Sequence, residues 1–312
     1  MITKNIFKYF LFLLSIFPTF CMKFLLFQSN FGVRSTKTYF KPIMCNEKNK
    51  NYIRMSKKEH ELYQWKIFKK SFEGNWHAPY SYLYDSNKIL TDIIYNTNSK
   101  ITIFNNNTCI INNDNNINQL YYYPNTLNIN NTVFLFTDCA GKSCKSFNNS
   151  DRNTFMMEIN FFYKNIRSVI QIRYKSYNNN ILLDSIYITP FRNKLYSNTK
   201  YIKELSSIYD FINIMSDNIY GERFYYNPNK YTYDKMILSS FNLFPYLSTD
   251  NNIFKGCFED GLVVIIPKKI TLGEHFKLLF GAYRDNKYKQ LIINYDINGN
   301  LTNWIYDSYI KK

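Results

Sequence analysis

The chain has 312 residues, of which 46% are hydrophobic and 20% are charged. These fractions are ordinary for a globular protein, so a wholly disordered chain is excluded. Glycine is scarce, at 9 residues, and no glycine-rich phosphate-binding pattern occurs, which removes the common nucleotide-binding classes. The abundant Asn, Lys, Ile, Tyr and Phe have AT-rich codons, so the composition indicates an AT-rich genome and no particular function.

The net charge of +16 is concentrated at the N-terminus. Residues 1–58 contain eleven Lys or Arg against one acidic residue, Glu47, which leaves only a small basic excess on the rest of the chain. A nucleic-acid-binding protein carries its basic residues on a folded face. We therefore expect no nucleic-acid partner.

Residues 1–21 have the features of a secretory signal peptide. Lys4 and Lys8 flank the start of an apolar run that continues to residue 20, and small residues follow where cleavage would occur. The run is shorter than the ~20 residues that span a bilayer. A signal anchor is therefore the weaker alternative, and the mature chain is expected to have no stable transmembrane segment.

Residues 22–58 are basic, contain Ser and Thr, and have one acidic residue. Such a stretch resembles an organelle transit peptide, with a disordered basic extension on a secreted protein as the alternative. A signal followed by a transit peptide is typical of a plastid acquired by secondary endosymbiosis. The leader therefore predicts the relict plastid of a parasite (the apicoplast), reached through the secretory pathway. Secretion and the parasitophorous vacuole are the alternatives.

The remaining chain shows one short helix followed by many short aromatic and β-branched runs. The helix is predicted over 59–70, where apolar residues recur among charges. Strands are predicted at 76–84, 101–104, 108–111, 117–123, 133–137, 155–163, 167–175 and 181–189. Segment 202–215 is ambiguous, and further strands are predicted at 219–226, 231–244, 253–258, 262–266, 276–283, 289–295 and 301–310. The absence of strand–helix alternation favours an all-β antiparallel barrel or sandwich.

An internal repeat indicates two copies of one unit. Each copy ends in an alternating strand, a turn with Asn and another strand, first around Ile170, Ile172 and Tyr174, then around Leu291, Ile293 and Tyr295. We therefore predict a first barrel at 59–190 and a second at 191–312.

Gly74, Asn75 and Trp76 form a G-x-W at the start of the first long strand. Lipocalin-like barrels begin this way, with the Trp plugging the closed end. Strict alternation places Trp76 on one face with Ala78, Tyr80, Tyr82 and Tyr84. We expect this aromatic face to line a barrel interior.

The C-terminal stretch is the most specific part of the sequence. It contains Phe258-Glu259-Asp260-Gly261, Pro267, Ile270, Phe276, Leu278, Gly281 and Tyr295-Asp296. This ending resembles the DUF3598 family of cyanobacterial and chloroplast proteins, and the helix with its G-x-W sits where that family's opening sits. The resemblance implies tandem lipocalin-like antiparallel β-barrels with a short N-terminal helix, related in fold to CpcS-type bilin lyases. It implies no reaction.

Three positions depart from the family pattern. Leu279 and Ala282 stand where the family usually has Glu and Trp, and Asn294 stands where it has Arg. The second barrel has therefore lost polar and bulky groups. In the first barrel Arg173 still precedes Tyr174, where it would meet a ligand's carboxylate, close the barrel end over Trp76, or remain a solvated strand arginine.

The sequence offers little support for a catalytic or metal-binding site. No zinc ligand set has the required spacing, and His77 and His275 are interpreted as surface and loop residues. The carboxylate pairs Glu259–Asp260 and Asp296–Asp307 are interpreted as turn residues. We assign no catalytic residue, metal or cofactor, and the sequence leaves open whether Cys139 and Cys144 pair.

The sequence therefore predicts a lipocalin-like binding protein for a small apolar ligand, such as a lipid, an isoprenoid or a tetrapyrrole. An enzyme on the same scaffold (isomerase, cyclase or chromophore lyase-like) and a ligand-free interaction or assembly protein are the alternatives. The fold does not decide between them. The predicted ligand-binding residues are Trp76, Tyr80, Tyr82, Tyr174 and Tyr295.

Overall fold

The computed structural model describes most of the chain after residue 50. The described ranges are 51–104, 108–113, 116–122, 132–136, 138–144, 146–148, 153–177, 180–194, 207–216, 219–228 and 232–311. All of them belong to one compact unit, which begins at Lys48. The signal-peptide prediction and most of the transit-peptide prediction concern residues outside the described ranges, so both stay predictions.

Three helices and eighteen strands occur in these ranges. The helices are α1 (Lys57–Phe72), α2 (Ile208–Met215) and α3 (Phe244–Leu247). Helix α1 begins where Ser56 and Glu59 form a capping box: Glu59 N donates to Ser56 Oγ at 3.3 Å, and Ser56 N donates to Glu59 Oε2 at 2.7 Å. These bonds satisfy two backbone donors that a helix start leaves open. The predicted N-terminal helix is thereby confirmed.

The strands form two antiparallel sheets. The first sheet contains β2 (Gly74–Asp85), β3 (Leu90–Phe104), β4 (Thr108–Asn113), β5 (Asn116–Tyr122), β6 (Thr132–Phe136), β7 (Cys139–Ser143), β8 (Thr154–Tyr163), β9 (Ile166–Tyr177), β10 (Asn180–Asn193) and β15 (Lys269–Ile270). The second sheet contains β1 (Asn51–Arg54), β11 (Ile219–Asn227), β12 (Thr232–Leu238), β13 (Ile253–Phe258), β14 (Leu262–Pro267), β16 (Phe276–Arg284), β17 (Lys287–Tyr295) and β18 (Leu301–Lys311).

The strand order confirms the all-β class. The first sheet runs β5-β4-β3-β2-β10-β9-β8-β7-β6, with β15 added beside β10, and the second runs β1-β12-β11-β18-β17-β16-β14-β13. Among the described strands, neither order closes into a complete barrel. The sequence missed β1, β7, β15 and most of β3, of which it predicted only 101–104. The predicted strand 231–244 is too long, because β12 ends at Leu238.

The two sheets pack face to face over one central core. Apolar side chains from both sheets meet there, among them Ile170, Ile172, Phe280 and Trp304. The approach is close at Gly141, where an added Cβ would lie 2.4 Å from Trp304 Cζ3. A side chain at this position would force the sheets apart, so glycine is required.

Each sheet also carries a smaller core on the face that points away from the other sheet. We call these faces the first and second outer faces. On the first, α1 packs through Trp65, Phe68 and Phe72 against Trp76 and Phe191. On the second, α2 packs through residues such as Phe211 and Met215. The molecule is therefore layered as helix, sheet, sheet and helix.

The predicted single aromatic face of β2 is wrong, because the strand contains a bulge. In its pairing with β10, Tyr82 lies opposite Ile188 but His77 lies opposite Arg192, so β2 has one extra residue between them. An extra residue reverses the alternation of the side chains. Trp76 and Ala78 therefore face α1, whereas Tyr82 and Tyr84 pack in or against the central core.

Residues of β9 alternate as the sequence predicts, and their apolar side chains face the second sheet. Ser168, Ile170, Ile172 and Tyr174 are buried together. They contact the second sheet instead of lining the side that carries Trp76. The division at residue 190 into two barrels stays a prediction.

A buried polar network joins the sheets. Asp260, in the turn before β14, accepts hydrogen bonds from Ser168 Oγ at 2.6 Å and Arg192 Nη1 at 2.8 Å. Arg284 donates to the same Ser168 Oγ at 2.6 Å. Burial works to raise the pKa of Asp260, but the bonds and charges of Arg192 and Arg284 outweigh it and hold the pKa below its usual value.

We expect Asp260→Asn to lower the free energy of unfolding by about 3–5 kcal/mol, because it leaves two buried guanidinium groups without their carboxylate. Chemical denaturation measures this loss. Asp184→Asn is the matched control, since Asp184 also pairs with two cations, Arg173 and Lys175, but near the surface. There the loss should stay below about 1 kcal/mol. Equal losses at the two positions would contradict the assigned role of Asp260.

Candidate functional site

The first outer face changes from buried to exposed along its strands. Its buried end lies under α1, where the Trp76 indole donates to Phe72 O at 2.9 Å. The next row crosses four strands through residues that lie opposite one another, and all are buried: Ala140, Asn160, Val169 and Thr189. This end of the face is closed by side-chain packing.

The following row is half-buried and polar. Lys142 lies opposite Glu158, Glu158 opposite Gln171, and Gln171 opposite Tyr187. Partial burial raises the pKa of Tyr187, although a hydrogen bond with Ser81 acts in the opposite direction. Beyond this row the face opens, and Met156 is 59% exposed.

A cavity of about 590 Å³ lies at this transition. Its volume is within the range of small-molecule sites. Met156 marks its mouth, and the polar row forms its floor. It is lined by Lys142, Cys144, Asn153, Thr154, Met156, Met157, Glu158 and Gln171.

Hydrogen bonds hold Glu158 in place on the cavity floor. Asn160 Nδ2 donates to Oε1 at 2.9 Å, and Gln171 Nε2 donates to Oε2 at 3.0 Å. Arg167 Nη2 lies 3.8 Å from Oε1. The Arg167 guanidinium is itself positioned by the Phe72 and Phe191 rings, at 5.1 and 5.2 Å from their centroids. The carboxylate therefore has a fixed geometry and a compensated charge.

The five residues predicted to bind a ligand do not come together at this cavity. Trp76 is buried at the closed end, and Tyr80 is 44% exposed and packs edge-on against Tyr95. Tyr82 packs against the central core. Two others lie inside that core: Tyr174 donates to Pro267 O at 2.7 Å and Tyr295 to Cys144 O at 3.0 Å.

Arg173 is a surface residue in an ion pair. Its Nε lies 2.5 Å from Asp184 Oδ2, and Lys175 Nζ lies 2.7 Å from Asp184 Oδ1. The sequence left three roles open for Arg173: binding a ligand's carboxylate, closing the barrel end over Trp76, or lying solvated on its strand. The structure supports the third.

Side chains that hydrogen-bond to one another fill part of the second outer face. Arg223 binds Asp307 through two hydrogen bonds of 2.7 and 2.8 Å, and Gln290 donates to the same carboxylate at 2.6 Å. Tyr246 then donates to Gln290 Oε1 at 2.7 Å, which ties the segment with α3 onto the sheet. The interpretation of Asp307 as a turn residue is wrong, because it lies fully buried within β18.

His60, to which the sequence assigns no role, is fully buried in α1. Its Nδ1 lies 2.8 Å from Tyr233 Oη and its Nε2 lies 3.0 Å from Tyr226 Oη. Both tyrosines belong to the second sheet, whereas Trp65 and Phe68 of the same helix pack on the first. Helix α1 therefore connects the sheets. A single histidine without a spacing motif gave no signal of this role.

Within the described ranges, no group of three His, Cys, Asp or Glu is placed to hold a metal ion. No disulfide joins Cys139 to Cys144. None of the described helices has the length and apolar character needed to cross a membrane.

Comparison with known proteins shows the fold. No protein-family model and no curated protein matches the chain. A solved structure of a DUF3598-family protein of unknown function from Nostoc punctiforme matches with a TM-score of 0.59 and 12% identity. The match covers 80% of this chain and 99% of that one. The chain therefore has a DUF3598-like fold, as its sequence predicted. A porin variant from Rh. blastica, at 8% identity and a TM-score of 0.14, does not indicate a shared fold.

The pH dependence of stability should report His60. Burial lowers the pKa of His60 from about 6.5 to about 4. Between these values the unfolded chain binds a proton that the folded chain does not, so stability rises with pH. A shift of this size corresponds to about 3 kcal/mol lost between pH 7 and pH 4.

Unfolding curves of His60→Gln should lack this part of the pH dependence. His275→Gln, the same change at an exposed histidine, should keep the pH dependence of the wild type. A wild-type dependence retained in His60→Gln would show that the ring is not buried in its neutral form.

Proposed function

We propose that the protein binds a small molecule in the cavity on the first outer face, as a lipocalin-like binding protein. The observation that carries this proposal is the arrangement of the face itself. It is closed under α1, polar and half-buried at the row of Lys142, and open at Met156. Small-molecule sites combine such a closed end with an apolar wall and a few placed polar groups.

The cavity differs from the aromatic pocket predicted from the sequence. Its exposed apolar side chain is Met156, because the Met157 side chain packs in the central core, and its floor comes from Lys142, Glu158 and Gln171. Methionine is flexible and polarizable and fits apolar groups of varied shape. The lining therefore favours a ligand with an apolar body and at least one polar group over a purely apolar ligand. Lipids, isoprenoids and tetrapyrroles all include molecules of this kind.

A blocked cavity tests the proposal. Met156→Trp places a large ring at the mouth, and because Met156 is 59% exposed it should change stability by less than about 0.5 kcal/mol. We expect native mass spectrometry to show a co-purified small molecule on the wild type and none on Met156→Trp. Binding of a fluorescent fatty-acid probe should weaken at least tenfold.

Ile237→Trp is the matched control. Ile237 is a similarly exposed strand residue, at 65%, but it lies on β12 of the second sheet. This variant should bind like the wild type. Ligand-free wild-type protein that also fails to bind the probe would favour the interaction or assembly function instead.

A further inference from the structure

We propose that the ligand carries an anionic group, that this group enters the cavity first, and that Lys142 binds it. This inference rests on the proposed function and specifies the class of ligand as an amphipathic anion, such as a long-chain carboxylate. It also specifies an orientation, with the acidic end at the floor and the apolar body toward Met156.

The first argument is the balance of charge at the floor. Glu158 is the only acidic side chain among the described lining residues. It already receives hydrogen bonds from Asn160 and Gln171 and lies 3.8 Å from Arg167. Lys142 has no ion pair with any described residue, although Glu158 lies opposite it in the neighbouring strand. The lining therefore presents one cation whose charge no described side chain compensates.

The second argument is depth. Lys142 is half-buried and lies in the row directly beyond the buried pair Ala140 and Asn160. A charge that has lost part of its hydration gains more from a bound anion than an exposed charge does. A charge-assisted hydrogen bond from an ammonium group to a carboxylate is also stronger than a neutral one. An exposed lysine at the mouth would lack the first of these advantages.

The third argument is the position of the apolar wall. Met156 lies two residues before Glu158 on β8, and its strand neighbour on β9 is Arg173. Arg173 is already paired with Asp184. The mouth therefore offers an exposed thioether and a compensated cation, whereas the floor offers an uncompensated one. A ligand with one acidic end and one apolar end fits this arrangement in one direction.

Two matched fluorescent probes test the inference: pyrenedecanoic acid and pyrenedecanol, which differ only in the acidic group. We expect the wild type to bind the acid at least tenfold more tightly than the alcohol. Lys142→Met should abolish this difference and leave the affinity for the alcohol within a factor of about two, because the methionine retains the apolar stem.

Lys175→Met is the matched control. Lys175 lies on β9 opposite Thr154 at the mouth, and it is paired with Asp184. This variant should keep the preference for the acid. Loss of the preference in Lys175→Met but not in Lys142→Met would overturn the proposed orientation and place the anion at the mouth.

The outcomes separate the two proposals. Equal binding of acid and alcohol that is blocked by Met156→Trp would overturn the anion inference and retain the cavity as a binding site. Binding of neither probe, or binding that Met156→Trp leaves unchanged, would overturn the proposed function and the inference together.

Discussion

The packing of the two sheets over one core determines which faces of the sheets are covered and which stay open. Asp260 reaches from the second sheet to Ser168 and Arg192 of the first. Asp138 reaches in the other direction and accepts hydrogen bonds from Tyr306 and Lys289 of the second. Asp260 is fully buried, and it tolerates little displacement because a charge that loses its partners inside a protein is costly. Asp138 is half-buried and adds a second link between the sheets. The central faces are therefore packed against each other, and the cavity proposed as the ligand site lies on an outer face.

Most strands and the N-terminal helix could be predicted from the sequence, because apolar and polar residues still alternate in it despite its unusual composition. The alternation of Ile170, Ile172 and Tyr174, for example, predicted the buried face of β9. What this face contacts was not predictable, because periodicity shows that a face is buried and does not show against which partner. The bulge in β2 has one local signal, Pro79 directly after Ala78, because proline within a sheet is confined to edges, strand starts and bulges. Strict alternation does not take this signal into account.

The site was harder to predict than the fold, for a related reason. Sequence patterns drew attention to aromatic residues, but burial in packed cores accounts for Trp76, Tyr174 and Tyr295. Lys142, Glu158 and Gln171 lie far apart in sequence and meet only because β7, β8 and β9 are neighbours. Asp260 does lie in a turn and Asp307 does not, but the buried ion pairs of both were missed, since charge pairing across a sheet leaves no local signature.

The two copies of the unit that the sequence predicts differ at the polar row of the first outer face. In the first copy the row is Lys142, Glu158, Gln171 and Tyr187. In the second copy the row at the same place relative to the repeated Tyr is Ile265, Leu279, Ile292 and Ile305, in matching strand register. Four aliphatic side chains replace four polar ones, and α2 packs on that side of the sheet. Leu279, which departs from the family pattern in the sequence, is one of these four aliphatic residues. At this row the second outer face is therefore covered by packing, whereas the first presents polar side chains beside a cavity.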